Sequence, residues 1–226
     1  FAEEFREMRE REGGAWVFTS ATLSSAGRFD LFKQRLGIGE CVERTWESPF
    51  NYWEQGCFYL PQMPPPANNT AVHTHNVIEK VWPLINAAGG RTFVLCTSLA
   101  AVRAAADELQ ARLEANGNPY PLFVQGDGPK MRLIEEFRAH GNAVLVGSMS
   151  FWEGVDVKGE ALSLVVIDKI PFAPPNDPVM MARSRAVEAS GRRPFDEITL
   201  PEAVITLKQG AGRLIRSEGD RGMLVI

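Results

Sequence analysis

Short apolar runs alternate along the chain with longer stretches in which apolar positions recur every three or four residues. The runs Ala15–Thr19, Gly56–Leu60, Thr92–Cys96, Pro121–Val124, Ala143–Val146, Ser163–Asp168 and Met223–Ile226 are strand candidates. Several are rich in Val, Ile and Phe with almost no polar alternation, the pattern of strands covered on both faces. Between them, Leu99–Ala115 spaces Val102, Ala106, Leu109 and Leu113 for one helical face, and Asn116-Gly117 follows as a stop signal. Pro129–His140 begins with a proline suited to a first helical turn and presents Leu133, Ile134 and Phe137 together. This βαβαβ order predicts an α/β fold, a parallel sheet with helices on both faces. Met63–Asn69 cannot continue a helix or a central strand and reads as a linker dividing Phe1–Gln62 from the regular body. In such sheets the working groups are expected at strand carboxyl ends, where loops lead into helix N-termini.

Composition narrows the class. With 226 residues, 45% hydrophobic and 23% charged, the chain suits one large domain or a domain and a fragment, and it is not disordered. No apolar run is long enough to span a bilayer, so no membrane partner is expected. The charge-dense opening Phe1–Arg11 is no signal peptide, which makes the cytoplasm the expected location. Cys41, Cys57 and Cys96 are scattered and give neither a disulfide framework nor a metal cluster, so no metal site is expected. A net charge of −4 excludes a broad basic coat but leaves room for a local nucleic-acid groove.

Several familiar chemistries lack their residues. No Gly-x-x-x-x-Gly-Lys-Ser/Thr loop is present: Gly126-Asp127-Gly128-Pro129-Lys130 has too few spacers and a proline where a donor is needed. The acyl-transfer elbow fails at Phe151, and no Gly-x-Gly-x-x-Gly follows a strand. Cys96 sits at a strand end before a helix, as a thiolate nucleophile would, or simply as a small apolar strand residue. His73 and His75 are either metal ligands or solvated histidines at a helix start.

The sharpest segment is Gln209-Gly-Ala-Gly212-Arg213-Leu-Ile-Arg216, on a helix opened by Pro201. On a continuous helix, Arg213 and Arg216 lie about 40° and about 20° to either side of Gln209, so three polar groups share one face. That face would point outward at the sheet's upper rim, with Val204, Leu207, Ala211 and Leu214 anchoring the opposite side. Gly212 flanks the polar face and admits another backbone or a ligand. Two guanidiniums and an amide suit a polyanion such as a triphosphate, and a solvated basic face is the plain alternative. A second segment, Gly147–Asp156, follows the buried strand: Ser150 could cap a helix or donate to a phosphate, and Asp156 could accept from a ribose hydroxyl. A third, Thr19-Ser20-Ala21-Thr22-Leu23, runs a strand into small hydroxyl residues that could equally cap a helix.

Taken together, these segments resemble the ordered motifs of superfamily 2 helicases. Ser20-Ala21-Thr22 is similar to motif III, Val94-Leu95-Cys96-Thr97-Ser98 to motif IV and Val124-Gln125-Gly126 to the segment after it. Ser150-Phe151-Trp152-Glu153-Gly154-Val155-Asp156 is similar to motif V, and Gln209-x-x-Gly212-Arg213-x-x-Arg216 to motif VI. The likeness covers nearly the whole chain and is greatest to the XPD/DinG group, particularly its bacterial DinG/YoaA branch. Ser48-Pro49-Phe50, Lys169-Ile170-Pro171-Phe172 and Leu200-Pro201-Glu202 resemble that branch as well.

The resemblance implies an ATP-driven helicase moving 5′ to 3′ on single-stranded DNA with two RecA-like domains around an ATP cleft. Residues 1–24 would carry the last strand of the first domain with motif III, and residues 25–226 the second RecA-like motor domain. The phosphate loop, the Mg²⁺-binding acidic motif and any 4Fe-4S cluster would belong to an upstream domain, the partner of this one. Arg213 and Arg216 would act as arginine fingers on ATP, with Gln209 orienting the phosphate or the attacking water. Asp156 would hold the ribose, Gly154 and Gly212 would permit close approach, and Glu153 stands where an arginine or threonine is frequent in the superfamily. Thr97, Ser98, Gln125 and Ser150 would touch DNA or couple it to the cleft, and Ser20 and Thr22 would bridge the domains. Arg183, Arg185, Arg192 and Arg193 form one basic cluster, either along the strand path or as a solvated patch. The alternative from another class is a non-catalytic α/β module whose arginine face docks a protein.

Overall fold

Six short strands lie side by side in one sheet, all parallel, in the order β1-β6-β5-β2-β4-β3. They are β1 Gly56–Tyr59, β2 Thr92–Cys96, β3 Leu122–Val124, β4 Val144–Ser148, β5 Leu164–Ile167 and β6 Gly222–Val225. The computed structural model describes residues 2–24, 27–64, 69–148, 157, 159–174 and 176–226. The chain forms two compact units, Phe1–Ser48 with Phe172–Lys208, and Pro49–Pro171 with Gln209–Ile226.

The second unit holds the whole sheet. Successive strand residues point to opposite faces, so each central strand supplies two cores. Val94, Val144, Val146, Leu164 and Val166 face α4 (Thr70–Ala87) and α5 (Leu99–Ala115), meeting Ile78, Val81, Ile85, Ala105 and Leu109. On the other face Phe93 packs against Phe137 of α6 (Lys130–His140), with ring centroids 4.8 Å apart. Helices therefore cover both faces, as the sequence predicts. The α5 helix starts where Ser98 accepts the Ala101 N–H through its hydroxyl oxygen at 3.2 Å, and it stops before Asn116 and Gly117. Asn69 caps α4 in the same manner, accepting from the Ala71 N–H at 2.9 Å.

Two sequence expectations fail here. Residues 15–20 form no strand: the run is apolar, but among the described residues no neighbouring strand pairs with its backbone. The proposed division of Phe1–Gln62 from the body is also overturned, because β1 pairs with β6 in register Gly56↔Gly222 to Tyr59↔Val225.

The first unit contains α1 (Ala2–Glu12), α2 (Asp30–Leu36) and α7 (Pro178–Ala189). Phe5, Trp16, Phe18 and Phe32 form a chain of ring contacts with centroids 5.4–6.4 Å apart. Asp177 caps α7 by accepting the Met180 N–H at 2.8 Å. The helix α8, Leu200–Ala211, carries the chain from this unit into the second. Among the described residues no helix is long and apolar enough to cross a membrane.

The turn that enters β6 is tied down from two sides. The short helix α3 (Tyr52–Gln55) ends in Gln55, whose buried amide nitrogen is 2.8, 3.2 and 3.1 Å from the carbonyl oxygens of Ser217, Glu218 and Asp220. The Asp220 carboxylate accepts the Arg216 and Ser217 N–H groups at 2.8 and 2.9 Å and the Ser217 hydroxyl at 2.8 Å. The Gly159 N–H is a further donor to it. Gly222 follows, where a Cβ would stand 2.7 Å from the Ser163 carbonyl oxygen and against Leu214. Only glycine lets the strand begin there.

Phe137→Ala is expected to cost about 3–5 kcal/mol in urea unfolding of the chain, because the ring is fully buried, whereas exposed Arg138→Ala should stay within about 0.5 kcal/mol. Asp220 supplies a pH test. Burial pushes its carboxyl upward, but the Ser217 hydroxyl and the N–H groups of Arg216, Ser217 and Gly159 outweigh that and hold it below the usual aspartate value of 3.8. A depressed folded value stabilises above the unfolded value and loses that contribution as pH falls through the folded one. The stability advantage of the native chain over Asp220→Asn should thus be full at neutral pH and shrink below about 3.8 in urea titrations run across pH.

Candidate functional site

The predicted residues divide between two edges of the sheet. At the carboxyl edge, β2 ends at Cys96 and passes through Thr97 and Ser98 into α5. β5 ends beside it at Ile167, and the next residue, Asp168, donates its N–H to the Leu95 carbonyl at 3.1 Å. The buried Asp168 carboxylate accepts the Thr97 N–H at 3.0 Å and the Thr97 hydroxyl at 3.4 Å. His73, half-buried on α4, donates from Nε2 to the Asp168 carbonyl at 3.0 Å, so it is more than a solvated histidine, while exposed His75 bonds Glu108 at 2.9 Å. Gln125, just past β3, accepts the Ser148 N–H at 2.6 Å and donates its own N–H to Val146 at 2.9 Å. Thr97, Ser98 and Gln125 are thus brought to one edge, each also carrying an internal hydrogen bond that fixes its loop.

Burial raises the Asp168 carboxyl above the usual aspartate range, although Lys169, the two bonds from Thr97 and the nearby His73 pull the other way. Burial likewise pushes the Cys96 thiol up, with the Asp168 charge adding to it. A thiol only 1% exposed and held protonated is no nucleophile, so Cys96 is a small apolar strand residue.

The arginine segment lies elsewhere. α8 ends at Ala211, and the chain tightens to shorter turns, with the Arg213 N–H donating to Gly210 and the Leu214 N–H to Ala211, each at 3.1 Å. Arg216 is past the helix, its N–H captured by Asp220. The shared helical face expected for Gln209, Arg213 and Arg216 therefore does not exist beyond Ala211. The helix runs through Gly210 and stops before Gly212, each glycine costing it about 1 kcal/mol relative to alanine, and further on the Asp220 carboxylate takes the Arg216 and Ser217 amides. Buried Leu214 and Ile215, each 6% exposed, anchor the segment between the two arginines. Because 212–221 leads into β6 and the strands are parallel, the segment stands at the amino edge of the sheet. Gly159, which precedes β5, joins it there through Asp220. The strands between the edges are three to five residues long, roughly 10–17 Å at about 3.3 Å per residue. The carboxyl-edge rule locates the hydroxyl and amide groups and misplaces the arginines.

In the first unit, Ser20 and Thr22 form a small hydroxyl turn: the Thr22 N–H donates to the Ser20 hydroxyl oxygen at 3.2 Å. The basic cluster there is largely paired within the unit. Glu202 contacts both Arg35 and Arg183, Arg192 meets Glu197 at 3.0 Å, and Arg193 meets Asp196 at 3.2 Å. Arg35, Arg183 and Arg192 line an open cleft of about 520 Å³.

Ser150, Glu153, Gly154 and Asp156 lie outside the described residues. Among the described residues no group of three or more His, Cys, Asp or Glu could hold a metal ion. Neither Mg²⁺ nor an iron–sulfur cluster finds a donor set there, and no chemical step of this chain is routed through either. Sequence reasoning passed over Asp168, Gln55 and Asp220. Asp168 had a signal, a carboxylate closing a fully apolar strand run. Gln55 and Asp220 had none: Gln55 contacts main-chain groups more than 160 residues away, and Asp220 contacts the amides of a turn that has no periodic pattern.

Residues 81–226 match the family described as the helicase C-terminal domain. The ATP-dependent DNA helicase YoaA of Haemophilus influenzae is 44% identical over 226 residues, 100% of this chain and 34% of that protein. The ATP-dependent helicase DinG of Mycobacterium tuberculosis is 38% identical over 215 residues, 93% of this chain and 31% of its own length. The chain thus spans about a third of these relatives. Among solved structures, an XPD helicase superposes with a TM-score of 0.60 at 19% identity, covering 91% of this chain and 37% of that one, a likeness of fold. An all-parallel sheet clad on both faces, the match over 81–226 and the likeness to YoaA and DinG together place the chain in the helicase C-terminal domain family, in its DinG/XPD-like superfamily 2 branch.

Proposed function

We propose that this chain is the second motor half of an ATP-dependent DNA helicase moving 5′ to 3′ on single-stranded DNA. Residues 25–226 would be its RecA-like motor domain, and residues 1–24 would complete a first domain that carries the phosphate loop, Mg²⁺ and any 4Fe-4S cluster. ATP is the substrate shared between the two halves.

The observation that carries this reading is the separation of polar groups onto two edges of one sheet. At the carboxyl edge, Thr97, Ser98 and Gln125 offer hydroxyls and an amide on loops fixed by Asp168 and by Ser148. Such neutral groups contact a sugar–phosphate backbone without reading sequence, which agrees with the acidic net charge. At the amino edge, Arg213 and Arg216 flank a buried Leu214-Ile215 anchor on a turn bound by Asp220. Guanidiniums on a fixed backbone stabilise charge developing on a transferred phosphoryl group without reorganising during the reaction. In this assignment Arg213 and Arg216 reach the γ-phosphate of ATP bound mainly by the first domain, and Gln209 orients the phosphate or water. Asp156 accepts from the ribose, Gly154 and Gly212 allow close approach and Glu153 lies beside them. Ser150 joins the DNA contacts, and Ser20 and Thr22 couple the halves.

Half of a composite site cannot turn over. The separate 226-residue chain is expected to show no ATP hydrolysis above background with or without single-stranded DNA, and robust turnover by it would overturn the assignment. In the full-length protein, Arg216→Ala should lower DNA-stimulated hydrolysis by about 10³-fold or more while the melting temperature stays at the native value. A matching loss of melting temperature would make the arginine structural.

A further inference from the structure

A carboxylate that saturates itself on main-chain donors spends its charge on one task, fixing the backbone that carries them. Asp220 does so with four donors from two loops: the N–H groups of Arg216 and Ser217, the Ser217 hydroxyl and the Gly159 N–H. Three of them belong to the pair Arg216-Ser217. The third loop wall comes from Gln55, 6% exposed, whose amide nitrogen faces the carbonyls of Ser217, Glu218 and Asp220 at 2.8–3.2 Å. The N–H groups of Arg216, Ser217 and Asp220 and the carbonyls of Ser217, Glu218 and Asp220 are therefore all engaged. The N–H of Asp220 closes the turn on the Ser217 carbonyl at 3.3 Å.

We infer that Asp220 and Gln55 are positioning residues for the arginine finger Arg216, holding its main chain where the guanidinium meets the transferred phosphoryl group. This rests on the assignment of Arg216 proposed above. It goes further in tying the finger to Gly159, which precedes β5, so that one carboxylate sets two loops of the amino edge together. The arrangement follows a general rule of catalysis: a group acts on a transition state to the extent that its position is settled before the reaction. A side chain as long as arginine gains that only if its Cα is fixed.

The test uses the full-length protein and compares ADP with ADP–aluminium fluoride, a mimic of the phosphoryl-transfer transition state. A misplaced finger weakens the mimic and leaves the ground state alone. Asp220→Asn keeps the side-chain shape but turns an amide NH₂ toward the donors. It should lower kcat by about tenfold or more with KM for ATP within about twofold, and weaken the mimic by a similar factor with ADP affinity unchanged. Gln55→Ala, which leaves the carboxylate intact, should shift the same quantities in the same direction by a smaller factor, and it carries the test where Asp220→Asn does not fold. Arg216→Ala in the same assay separates the two levels of the argument. If Arg216→Ala still binds the mimic as the native protein does, the finger assignment falls and the positioning falls with it. If Arg216→Ala loses the mimic while Asp220→Asn and Gln55→Ala keep it, the positioning alone is overturned. An equal loss of ADP and mimic in the two loop variants also overturns it, because that is the mark of a purely structural role.

Discussion

Parallel strand pairing is the constraint on which the rest of this molecule depends. Every strand of the sheet enters at one edge and leaves at the other, so each loop has its edge assigned by whether it precedes or follows a strand. Nothing about the side chains can change that. Thr97, Ser98, Gln125 and Asp168 follow strands and Ser148 ends one, so they share the carboxyl edge, whereas Gly159 and the turn from Gly212 to Arg221 precede strands and share the amino edge. The central strands β2, β4 and β5 are almost wholly buried, so the two edges are held about a strand's length apart by a close-packed core.

Each edge is organised by one aspartate, and the two behave oppositely for a reason visible in their donors. Asp168 is buried with a hydroxyl and an amide from a single residue, Thr97, and that is too little to offset desolvation, so its carboxyl is raised. Asp220 is buried with four donors from two loops, and its carboxyl is lowered. The same residue type thus serves as a loose latch at one edge and a firm one at the other.

Much of the sheet was legible because several signals coincided. β2 spans Thr92–Cys96 as the apolar run predicts, since all five residues are buried, and α5 spans Leu99–Ala115 because a Ser98 cap, a regular apolar spacing and an Asn-Gly stop agree. Where a single signal stood alone it misled. Ala15–Thr19 is apolar enough for a strand, but apolarity records a tendency to be covered and says nothing about a hydrogen-bonding neighbour. Met63–Asn69 looked like a domain boundary because proline interrupts regular structure, yet the strand before it pairs into the same sheet. The sequence reading did not identify α4 and α7, which the structure shows capped by Asn69 and Asp177, the latter with Pro178 beside it.

The arginine segment shows most clearly why part of the site could not be read. Projecting Gln209, Arg213 and Arg216 onto one helical face assumes that the helix persists through two glycines. Local propensity already argued against this, at about 1 kcal/mol for each glycine. What decides the outcome is a competitor outside the segment. The amides that a continuing helix would have bonded to carbonyls four residues back are taken by Asp220, and the carbonyls beyond are taken by Gln55 from another part of the chain. Main-chain recognition of this kind leaves no periodicity, because any residue has an N–H and a carbonyl. Order and spacing single out the motif side chains, while the backbone that carries Arg216 is fixed by two polar residues that leave no periodic signature.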